Sequence, residues 1–271
     1  MKHELEVAIA LAREAGAAIE QVRRAGFEAR HKSDRSPVTA ADLAADKILR
    51  EGLTAAFPAD GLLTEESGWV APPNAHRAWV IDPLDGTNAF VDGAIRGYAV
   101  QVGLLVDGAP RLGVVFEPRF DRLFYAVAGQ GAWLATGGAA PTRLRVSAHA
   151  KPSEMPVVTS TTMPAERRQR LLDLGFPDGG RLRSVGIKVG ELVTGRADIY
   201  VSDHPVKYWD SCAPMIILTE AGGQAAHVDG RPMTYVLGGQ VHHDGGAFYM
   251  SNGPRHEAVG EALRAAWDGP W

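Results

Sequence analysis

The stretch Trp79-Val80-Ile81-Asp82-Pro83-Leu84-Asp85-Gly86-Thr87 carries the strongest structural signal in the chain. Its first three residues are apolar and partly β-branched, which predicts a buried strand. Pro83 lacks a backbone N–H, so we expect the chain to leave the sheet at that residue. Asp82 and Asp85 then flank a tight turn, in which Gly86 allows the backbone to curl.

Such a turn brings metal ligands and anion donors together. The carboxylates of Asp82 and Asp85 and the carbonyl of Leu84 are hard oxygen ligands, which Mg²⁺ prefers. If a helix begins at Thr87, the backbone N–H groups of Gly86 and Thr87 are free to donate to an anion. This combination predicts metal-assisted phosphate chemistry. The simpler alternative is a turn whose aspartates satisfy only their own backbone.

Composition bounds the class of protein. The 271 residues are 45% hydrophobic and 22% charged, with a net charge of −4 and no dense run of Lys or Arg. These values are ordinary for a globular chain, and we expect no nucleic-acid polymer as a partner. The single cysteine, Cys212, excludes an internal disulfide. No apolar run approaches the roughly 20 residues that span a bilayer, and the N-terminus has no signal-peptide pattern, which together predict a cytoplasmic protein without a membrane partner.

The coarse pattern groups helices and strands rather than alternating them, which predicts an α+β fold. We predict helices over 3–25, 40–57, 166–174, 185–194 and 210–221, and strands over 62–64, 79–81, 156–160 and 197–201. Residues 97–135 are typical of an antiparallel meander with short turns. The region 137–152 is the predicted seam within one domain, 1–271. It separates an N-terminal half, 1–140, which holds most of the candidate ligands, from a C-terminal α/β half, 150–271.

Three further carboxylates lie where predicted elements begin or end. Glu65 follows a short strand, Asp42 lies in the first turn of a helix capped by Thr39, and Asp210 begins a helix. From such positions the side chains are free to converge on one site. A two-metal phosphatase needs several carboxylates to hold its ions about 3.5–4 Å apart. The alternative is that Asp42 and Asp210 are ordinary first-turn acids favoured by the helix dipole.

Other catalytic arrangements do not fit the chain. It has no glycine-rich phosphate loop, no nucleophile elbow and no His-Glu-x-x-His motif. Cys212 lies in an apolar helix with no histidine near it in sequence, which predicts a buried small residue rather than a nucleophile. His242 and His243 are adjacent and precede Asp244-Gly245-Gly246, which favours a surface loop over a metal site.

These motifs resemble the inositol monophosphatase superfamily of Mg²⁺-dependent, lithium-sensitive phosphatases. The residues that carry the resemblance are Glu65-Glu66-Ser67, Asp82–Thr87, Trp209-Asp210, Thr219–Gly223 and Met250–Gly253. The likeness runs nearly end to end. It implies a layered αβαβα sandwich of the inositol monophosphatase and fructose-1,6-bisphosphatase type, a homodimer, and two or three Mg²⁺ ions in each active site.

By position, the resemblance also assigns roles to residues. The implied metal ligands are Glu65, Asp82, the Leu84 carbonyl, Asp85 and Asp210. Asp42, Thr87 and Glu65 are the implied catalytic residues, and the Asp42–Thr87 pair orients the attacking water and accepts its proton. The amides of Gly86 and Thr87 hold the phosphate. The implied reaction is in-line attack of a metal-activated water on a small phosphate monoester, without a phosphoenzyme.

Three stretches resemble the 3′(2′),5′-bisphosphate nucleotidase branch of the family: Lys32–Asp42, Ser184–Lys188 and Lys207–Pro214. The resemblance implies 3′-phosphoadenosine 5′-phosphate as the substrate. The implied substrate contacts are Gly86, Thr87, Ser184, Lys188, Lys207 and Asp210. Lys188 and Lys207 would bind the second phosphate, and the alternative is that both are solvated surface lysines.

One departure from that branch favours other substrates. The branch usually has Lys-Glu after Asp-Gly-Thr, whereas this chain has Asn88-Ala89-Phe90, whose phenylalanine is closer to the monophosphatase pattern. Inositol-1-phosphate, histidinol phosphate and fructose-1,6-bisphosphate therefore stay open. A rival from another class is a non-catalytic interaction protein on the same fold, although every implied metal ligand is intact.

Overall fold

The structure of the protein, a computed structural model, describes residues 1–31, 36–70, 76–243 and 245–266. Residues 32–35 of the Lys32–Asp42 stretch and Asp244 lie outside the described residues. The helices are α1 (Lys2–Ala25), α2 (Ala40–Ala56), α3 (Thr87–Val91), α4 (Ala165–Asp173), α5 (Val185–Val193), α6 (Tyr208–Glu220) and α7 (His256–Ala266). Among the described residues, no helix is both long enough and apolar enough to cross a membrane.

Most strands belong to two large sheets. The first sheet has eight strands in the order β10-β9-β8-β7-β6-β5-β3-β4, and the second has five in the order β12-β11-β13-β15-β14. The first contains β3 (Gly61–Thr64), β4 (Gly68–Trp69), β5 (Arg77–Asp85), β6 (Ala99–Val106), β7 (Ala109–Glu117), β8 (Arg122–Val127), β9 (Ala132–Thr136) and β10 (Thr142–Leu144). The second contains β11 (Val157–Ser160), β12 (Asp178–Leu182), β13 (Ile199–Ser202), β14 (Gln224–His227) and β15 (Phe248–Ser251). A separate hairpin pairs β1 (Arg30–His31) with β2 (Pro37–Val38).

The helices and sheets stack in alternating layers, as the resemblance implies. α1 and α2 bury a stripe of small and aliphatic side chains, including Ala12 and Leu49, against one face of the first sheet. α5 and α6 lie between the sheets, where Ile187 and Ile217 share a core with side chains of both. α4 and α7 cover the outer face of the second sheet. This layered α+β architecture confirms the predicted fold class.

Local signals predicted the N-terminal elements correctly. α1 and α2 occupy the predicted segments, and the Thr39 hydroxyl accepts a hydrogen bond from the Ala41 amide at 3.1 Å. The Asp42 carboxylate in turn accepts from the Thr39 amide at 2.7 Å, which completes a capping box. Strands β6 to β9 form the expected antiparallel meander.

The expectation that the chain leaves the sheet at Pro83 is wrong. β5 continues to Asp85, and its register against β6 shifts between Asp82 and Asp85. Pro83 lies inside this irregularity, where the ladder is interrupted and no N–H is needed. Asp82 accepts a hydrogen bond from the Leu84 amide at 3.0 Å, and pairing resumes between Asp85 and Ala99. The ligand-bearing turn is therefore an irregular strand end.

The predicted seam also contains a strand. β10 pairs antiparallel with β9, so the first sheet continues to Leu144. The connection to the second sheet runs from there to β11.

We expect His256, at the start of α7, to make stability depend on pH. Its ring stacks on Tyr249 with centroids 4.4 Å apart, and burial lowers the pKa of His256 from 6.5 to about 4. The folded state favours neutral His256. The contribution of His256 to folding stability is therefore complete above pH 6.5 and is lost as the pH falls towards 4. We expect the free energy of unfolding of wild type, measured with urea, to fall by about 2–3 kcal/mol more than that of His256→Gln between pH 7 and pH 4.5.

The control for this measurement is His76→Gln. The His76 side chain is 88% exposed, so this variant removes an imidazole without disturbing a buried site. An equal loss of stability in wild type and His256→Gln would contradict the prediction.

Candidate active site

Three carboxylates converge at the irregular end of β5. Asp82 and Asp85 come from that strand end and Asp210 from the first turn of α6, and one oxygen of each lies within 4.8 Å of the other two. Glu65, in the turn between β3 and β4, lines the same cleft. The structure thus brings together all four carboxylates predicted as ligands.

The acids raise one another's pKa. Burial is the largest cause of the raised pKa of Asp82, followed by the charges of Glu65, Asp85 and Asp210. Burial, then Asp85 and Glu65, raise the pKa of Asp210 to about 8. Anions held this close repel one another unless a cation neutralises them. Several carboxylates beside a backbone carbonyl form the hard oxygen set that suits a divalent cation, so the residues present fit a metal site.

Asp85 is held in place by the N-terminus of α5. Its Oδ2 accepts hydrogen bonds from the Ser184 hydroxyl at 2.5 Å, the Gln101 amide group at 2.6 Å and the Gly186 N–H at 2.9 Å. Oδ1 accepts from Val185 N–H at 3.3 Å. Burial raises the pKa of Asp85, and these donors oppose that rise. Asp85 is therefore a carboxylate with one saturated oxygen and one that keeps room for a ligand bond.

Gly186 makes this approach of helix and strand possible. A Cβ at Gly186 would lie 2.8 Å from Val115 Cγ1 and 3.4 Å from Asp85 Oδ2. A larger residue would push the start of α5 away from Asp85.

Asp42 and Thr87 form a second buried pair beside the acidic cluster. The Thr87 hydroxyl lies 2.9 Å from Asp42 Oδ1 and 3.0 Å from the Leu84 carbonyl oxygen. A hydroxyl has one hydrogen, so it donates to one of these acceptors at a time. The other Asp42 oxygen accepts from the backbone N–H and hydroxyl of Thr39, both at 2.7 Å. The capping box of α2 therefore also aims Asp42 at Thr87.

Gly86 shapes the turn before α3. It adopts a left-handed conformation, with φ 93° and ψ 34°, and a Cβ there would lie 2.1 Å from the Gly97 carbonyl oxygen. Only glycine fits this position. Its place as the N-cap of α3 turns the chain so that Gly86, Thr87 and the acids line one cleft.

The opposite wall of the cleft comes from the second sheet. The cleft has a volume of about 580 Å³, and its other lining residues include Ser160, Thr161, Thr162, Arg183, His204, Lys207 and Trp209. Ser160 ends β11, Arg183 follows β12 and His204 follows β13, and these three strands are parallel. Ligands commonly bind at the carboxyl ends of parallel strands. Apart from Lys207 and Trp209, these wall residues were not predicted from the sequence, and Arg183 was missed because β12 was not predicted.

Ser184 and Lys188 lie below the cleft, not on its wall. Ser184 is fully buried, and its hydroxyl is used by Asp85. Lys188 is 1% exposed; its Nζ donates to the Arg183 carbonyl oxygen at 3.1 Å and lies 4.5 Å above the Tyr200 ring. Burial lowers the pKa of Lys188 to about 8. The alternative of a solvated surface lysine is therefore wrong for Lys188, whereas Lys207 is exposed.

Two sequence predictions about other residues have opposite outcomes. Cys212 is buried, as predicted, and burial raises the pKa of its thiol. The surface-loop prediction is wrong for His243, which is 2% exposed and whose Nε2 lies 2.8 Å from the Ser211 hydroxyl. His243 is buried because its loop packs on the first turn of α6.

Comparisons with known proteins identify the family of the chain. The sequence model of the inositol monophosphatase family matches residues 1–265. The histidinol-phosphatase of Mycobacterium tuberculosis is 34% identical over 98% of this chain and 100% of its own length. That of Chlorobaculum parvum is 35% identical over 85% of this chain and 88% of its own. The 3′(2′),5′-bisphosphate nucleotidase CysQ of Escherichia coli K12 is 31% identical over 83% of this chain and 91% of its own length.

A solved structure of an inositol monophosphatase also has this fold. The inositol monophosphatase of Anabaena superposes with a TM-score of 0.78 at 27% identity, covering 98% of this chain and 99% of that one. The chain belongs to the inositol monophosphatase family. It is a phosphoric monoester hydrolase of this metal-dependent family, and its acidic cluster is able to hold a metal.

Proposed function

We propose that this chain is a Mg²⁺-dependent phosphatase of small phosphate esters that carry a second anionic group, typified by 3′-phosphoadenosine 5′-phosphate. One observation carries the proposal: an acidic cluster with oxygens within 4.8 Å of one another faces a wall that contains Arg183 and Lys207. The acidic side suits two or three Mg²⁺ ions, and the basic side suits a second phosphate. The proposed metal ligands are Glu65, Asp82, the Leu84 carbonyl, Asp85 and Asp210.

The chain's own residues then divide the work of hydrolysis. Bound Mg²⁺ supplies positive charge to the phosphoryl oxygens and lowers the pKa of the attacking water. Thr87 donates its hydrogen to Asp42, so the Thr87 oxygen is free to accept a hydrogen bond from that water. Asp42 takes up the proton through the hydroxyl, as a general base. As the water oxygen bonds to phosphorus, the bond from phosphorus to the ester oxygen breaks, and the leaving alkoxide takes a proton from solvent water. The Gly86 and Thr87 amides hold the phosphate in line.

We assign Ser184 and Lys188 a supporting role. Ser184 holds Asp85, and the charge of Lys188 opposes the rise in the pKa of Asp85 and Asp210. Because both side chains are buried below the cleft, they act on the ligands and not on the substrate. This leaves Arg183, His204 and Lys207 as the groups that face the far end of a substrate.

The nature of the wall favours a bisphosphate nucleotide. Arg183 pairs with Asp92 at 2.6 Å, and Lys207 is exposed beside Trp209. Cationic groups bind a second phosphate, and an indole ring is able to stack on a base. Fructose-1,6-bisphosphate has the second phosphate but no base.

Histidinol phosphate is the second candidate, because two relatives at 34% and 35% identity are named histidinol-phosphatases. Its primary amine is cationic, however, and would face Arg183 and Lys207 across the cleft.

The substrate is tested by phosphate release from 3′-phosphoadenosine 5′-phosphate, histidinol phosphate, inositol-1-phosphate and fructose-1,6-bisphosphate, each with Mg²⁺. We expect kcat/KM for the nucleotide to exceed the others by at least about tenfold, because one charge-assisted hydrogen bond is worth that much. A preference for histidinol phosphate or inositol-1-phosphate would contradict the proposed substrate and would still support the proposed phosphatase reaction.

We expect Lys207→Met to act on specificity. The change removes a cation from the cleft wall and keeps the apolar stem, so KM for the bisphosphate should rise about tenfold or more. KM for inositol-1-phosphate should stay within about twofold, since a monophosphate has no second charged group to bind. Lys151→Met is the control, because Lys151 is exposed and pairs only with the nearby Glu154 among the described residues. An equal rise for both substrates would contradict the specificity role.

Four expectations stay predictions: inhibition by Li⁺, a homodimer, a cytoplasmic location and one domain over the whole chain. The non-catalytic rival predicts that Asp85→Asn leaves the chain's effect in cells intact. The catalytic proposal predicts that this effect is lost.

A further inference from the structure

A segment of the second half crosses the start of α6 and reaches the first sheet. We name the residues Tyr235–His243 the strap. The Tyr208 amide donates to the Val241 carbonyl oxygen at 2.9 Å, and the Val236 amide donates to the Tyr208 hydroxyl at 3.1 Å. A bridge also pairs Lys207 with His242. The strap is therefore bound to the residues that immediately precede Asp210.

The other side of the strap contacts the hairpin that carries Glu65. Trp69 donates from Nε1 to the Gln240 carbonyl oxygen at 3.0 Å. Its ring packs against the buried cluster that contains Leu63, Tyr208 and Tyr235. Trp69 pairs with Leu63 across the two short strands β3 and β4, and Glu65 lies in the turn between them. Trp69 thus joins the Glu65 hairpin to the strap, and through it to α6.

The turn that contains Glu65 is weakly held by the sheet itself, so its position depends on the contact between Trp69 and the strap. β4 has two residues and forms the edge of the first sheet, so few backbone hydrogen bonds hold it. Glu65 and Asp210 come from different layers of the fold, and a metal site requires their oxygens at a defined separation. A contact that fixes one element against the other therefore affects metal binding more than folding.

We propose that Trp69 is a positioning residue for the metal site, which fixes Glu65 relative to Asp210 through its hydrogen bond to the strap. The proposal rests on the proposed function, because it assumes that both acids bind the metal.

Trp69→Phe tests it, because phenylalanine keeps a ring in the cluster and removes the Nε1 donor. Mg²⁺ binding is measured by calorimetry, Tm is measured without metal, and kcat is measured at saturating Mg²⁺. We expect the dissociation constant for Mg²⁺ to rise about fivefold, as the loss of one hydrogen bond implies, with kcat near that of wild type.

Trp133→Phe is the matched control. Trp133 Nε1 also donates to a backbone carbonyl oxygen, that of Gln130 at 3.2 Å, but on β9 away from the cleft. We expect Trp133→Phe and Trp69→Phe each to lower Tm by a few degrees, because each loses one hydrogen bond. Only Trp133→Phe should leave Mg²⁺ binding unchanged. Gly238→Ala perturbs the strap without changing Trp69. Gly238 has φ 86°, which strains an alanine, although the space around it is open. Gly238→Ala should therefore also raise the dissociation constant for Mg²⁺.

Asp85→Asn separates the two possible failures. If Asp85→Asn abolishes Mg²⁺ binding while Trp69→Phe binds Mg²⁺ as wild type does, the positioning role is overturned and the proposed function stands. If Asp85→Asn binds Mg²⁺ normally, the acidic cluster is not the metal site and both proposals fail. An equal weakening in Trp69→Phe and Trp133→Phe would also overturn the positioning role, since it would reflect general destabilisation.

Discussion

We expect Asp85→Asn to lower kcat/KM for phosphate release by at least about a thousandfold, which corresponds to about 4 kcal/mol of lost transition-state stabilisation. The structure explains why so small a change should matter. The side-chain oxygen of the new asparagine would keep the place that now accepts from Ser184, Gln101 and Gly186, which leaves an amide nitrogen towards the acidic cluster. An amide nitrogen has no lone pair to give to a metal.

The same change should not harm the fold in the absence of metal. Asp85 raises the pKa of Asp82 and Asp210 by repulsion, so removing its charge relieves part of that repulsion. The lost hydrogen bond from the Val185 N–H opposes this relief, so we expect the Tm without metal to stay close to that of wild type, whereas the rise in Tm on adding Mg²⁺ should be lost. Asp107→Asn is the control at an exposed carboxylate. A variant that keeps more than about a tenth of wild-type kcat/KM would contradict a ligand role for Asp85.

The second large effect is expected for Thr87→Val. Valine matches the shape of threonine and removes the hydroxyl that lies 2.9 Å from Asp42. Without it the water loses its path to the base, so kcat should fall about a hundredfold to a thousandfold. The Thr87 amide is unchanged, so KM should stay within about threefold, because that amide supplies the phosphate contact. Thr87→Ser, which keeps the hydroxyl, should restore most of the rate.

A matched control exists for the loss of a threonine hydroxyl. Thr219 also donates to a backbone carbonyl oxygen, that of Met215 at 2.8 Å, on the exposed side of α6. Thr219→Val should leave kcat unchanged. If Thr87→Val instead weakened Mg²⁺ binding and kept kcat at saturating Mg²⁺, Thr87 would serve the Leu84 carbonyl and not the proton transfer.

The local features beside the cleft that the sequence predicted are set by short-range chemistry. The sequence predicted Thr39 as the cap of a helix with Asp42 in its first turn, and the structure pairs these two nearby residues in the capping box of α2. Asp82, Asp85 and Gly86 likewise lie close together in sequence at the irregular end of β5, so their convergence follows from short-range geometry. Asp210 was recognisable as a first-turn acid for the same reason. In each case the signal and the structure lie within a few residues of each other.

What the sequence missed depends on contacts between distant elements. Pro83 stays within β5 because β6 pairs on both sides of the irregularity. Lys188 is buried because α5 lies between two sheets, and every residue of that helix is buried, so no amphipathic pattern marks a solvent face. Arg183 reaches the cleft only because β12 runs parallel to β11. Periodicity within one segment cannot reveal such partners.

We propose that the acidic cluster at the end of β5 hydrolyses phosphate esters with Mg²⁺. The most direct test measures phosphate release from 3′-phosphoadenosine 5′-phosphate by wild type and Asp85→Asn, with Mg²⁺, with a chelator, and after Mg²⁺ is restored. Wild type should release phosphate only while Mg²⁺ is present, recover fully on its return, and exceed Asp85→Asn by at least about a thousandfold. Release that survives chelation, or equal rates in the two proteins, would contradict the account.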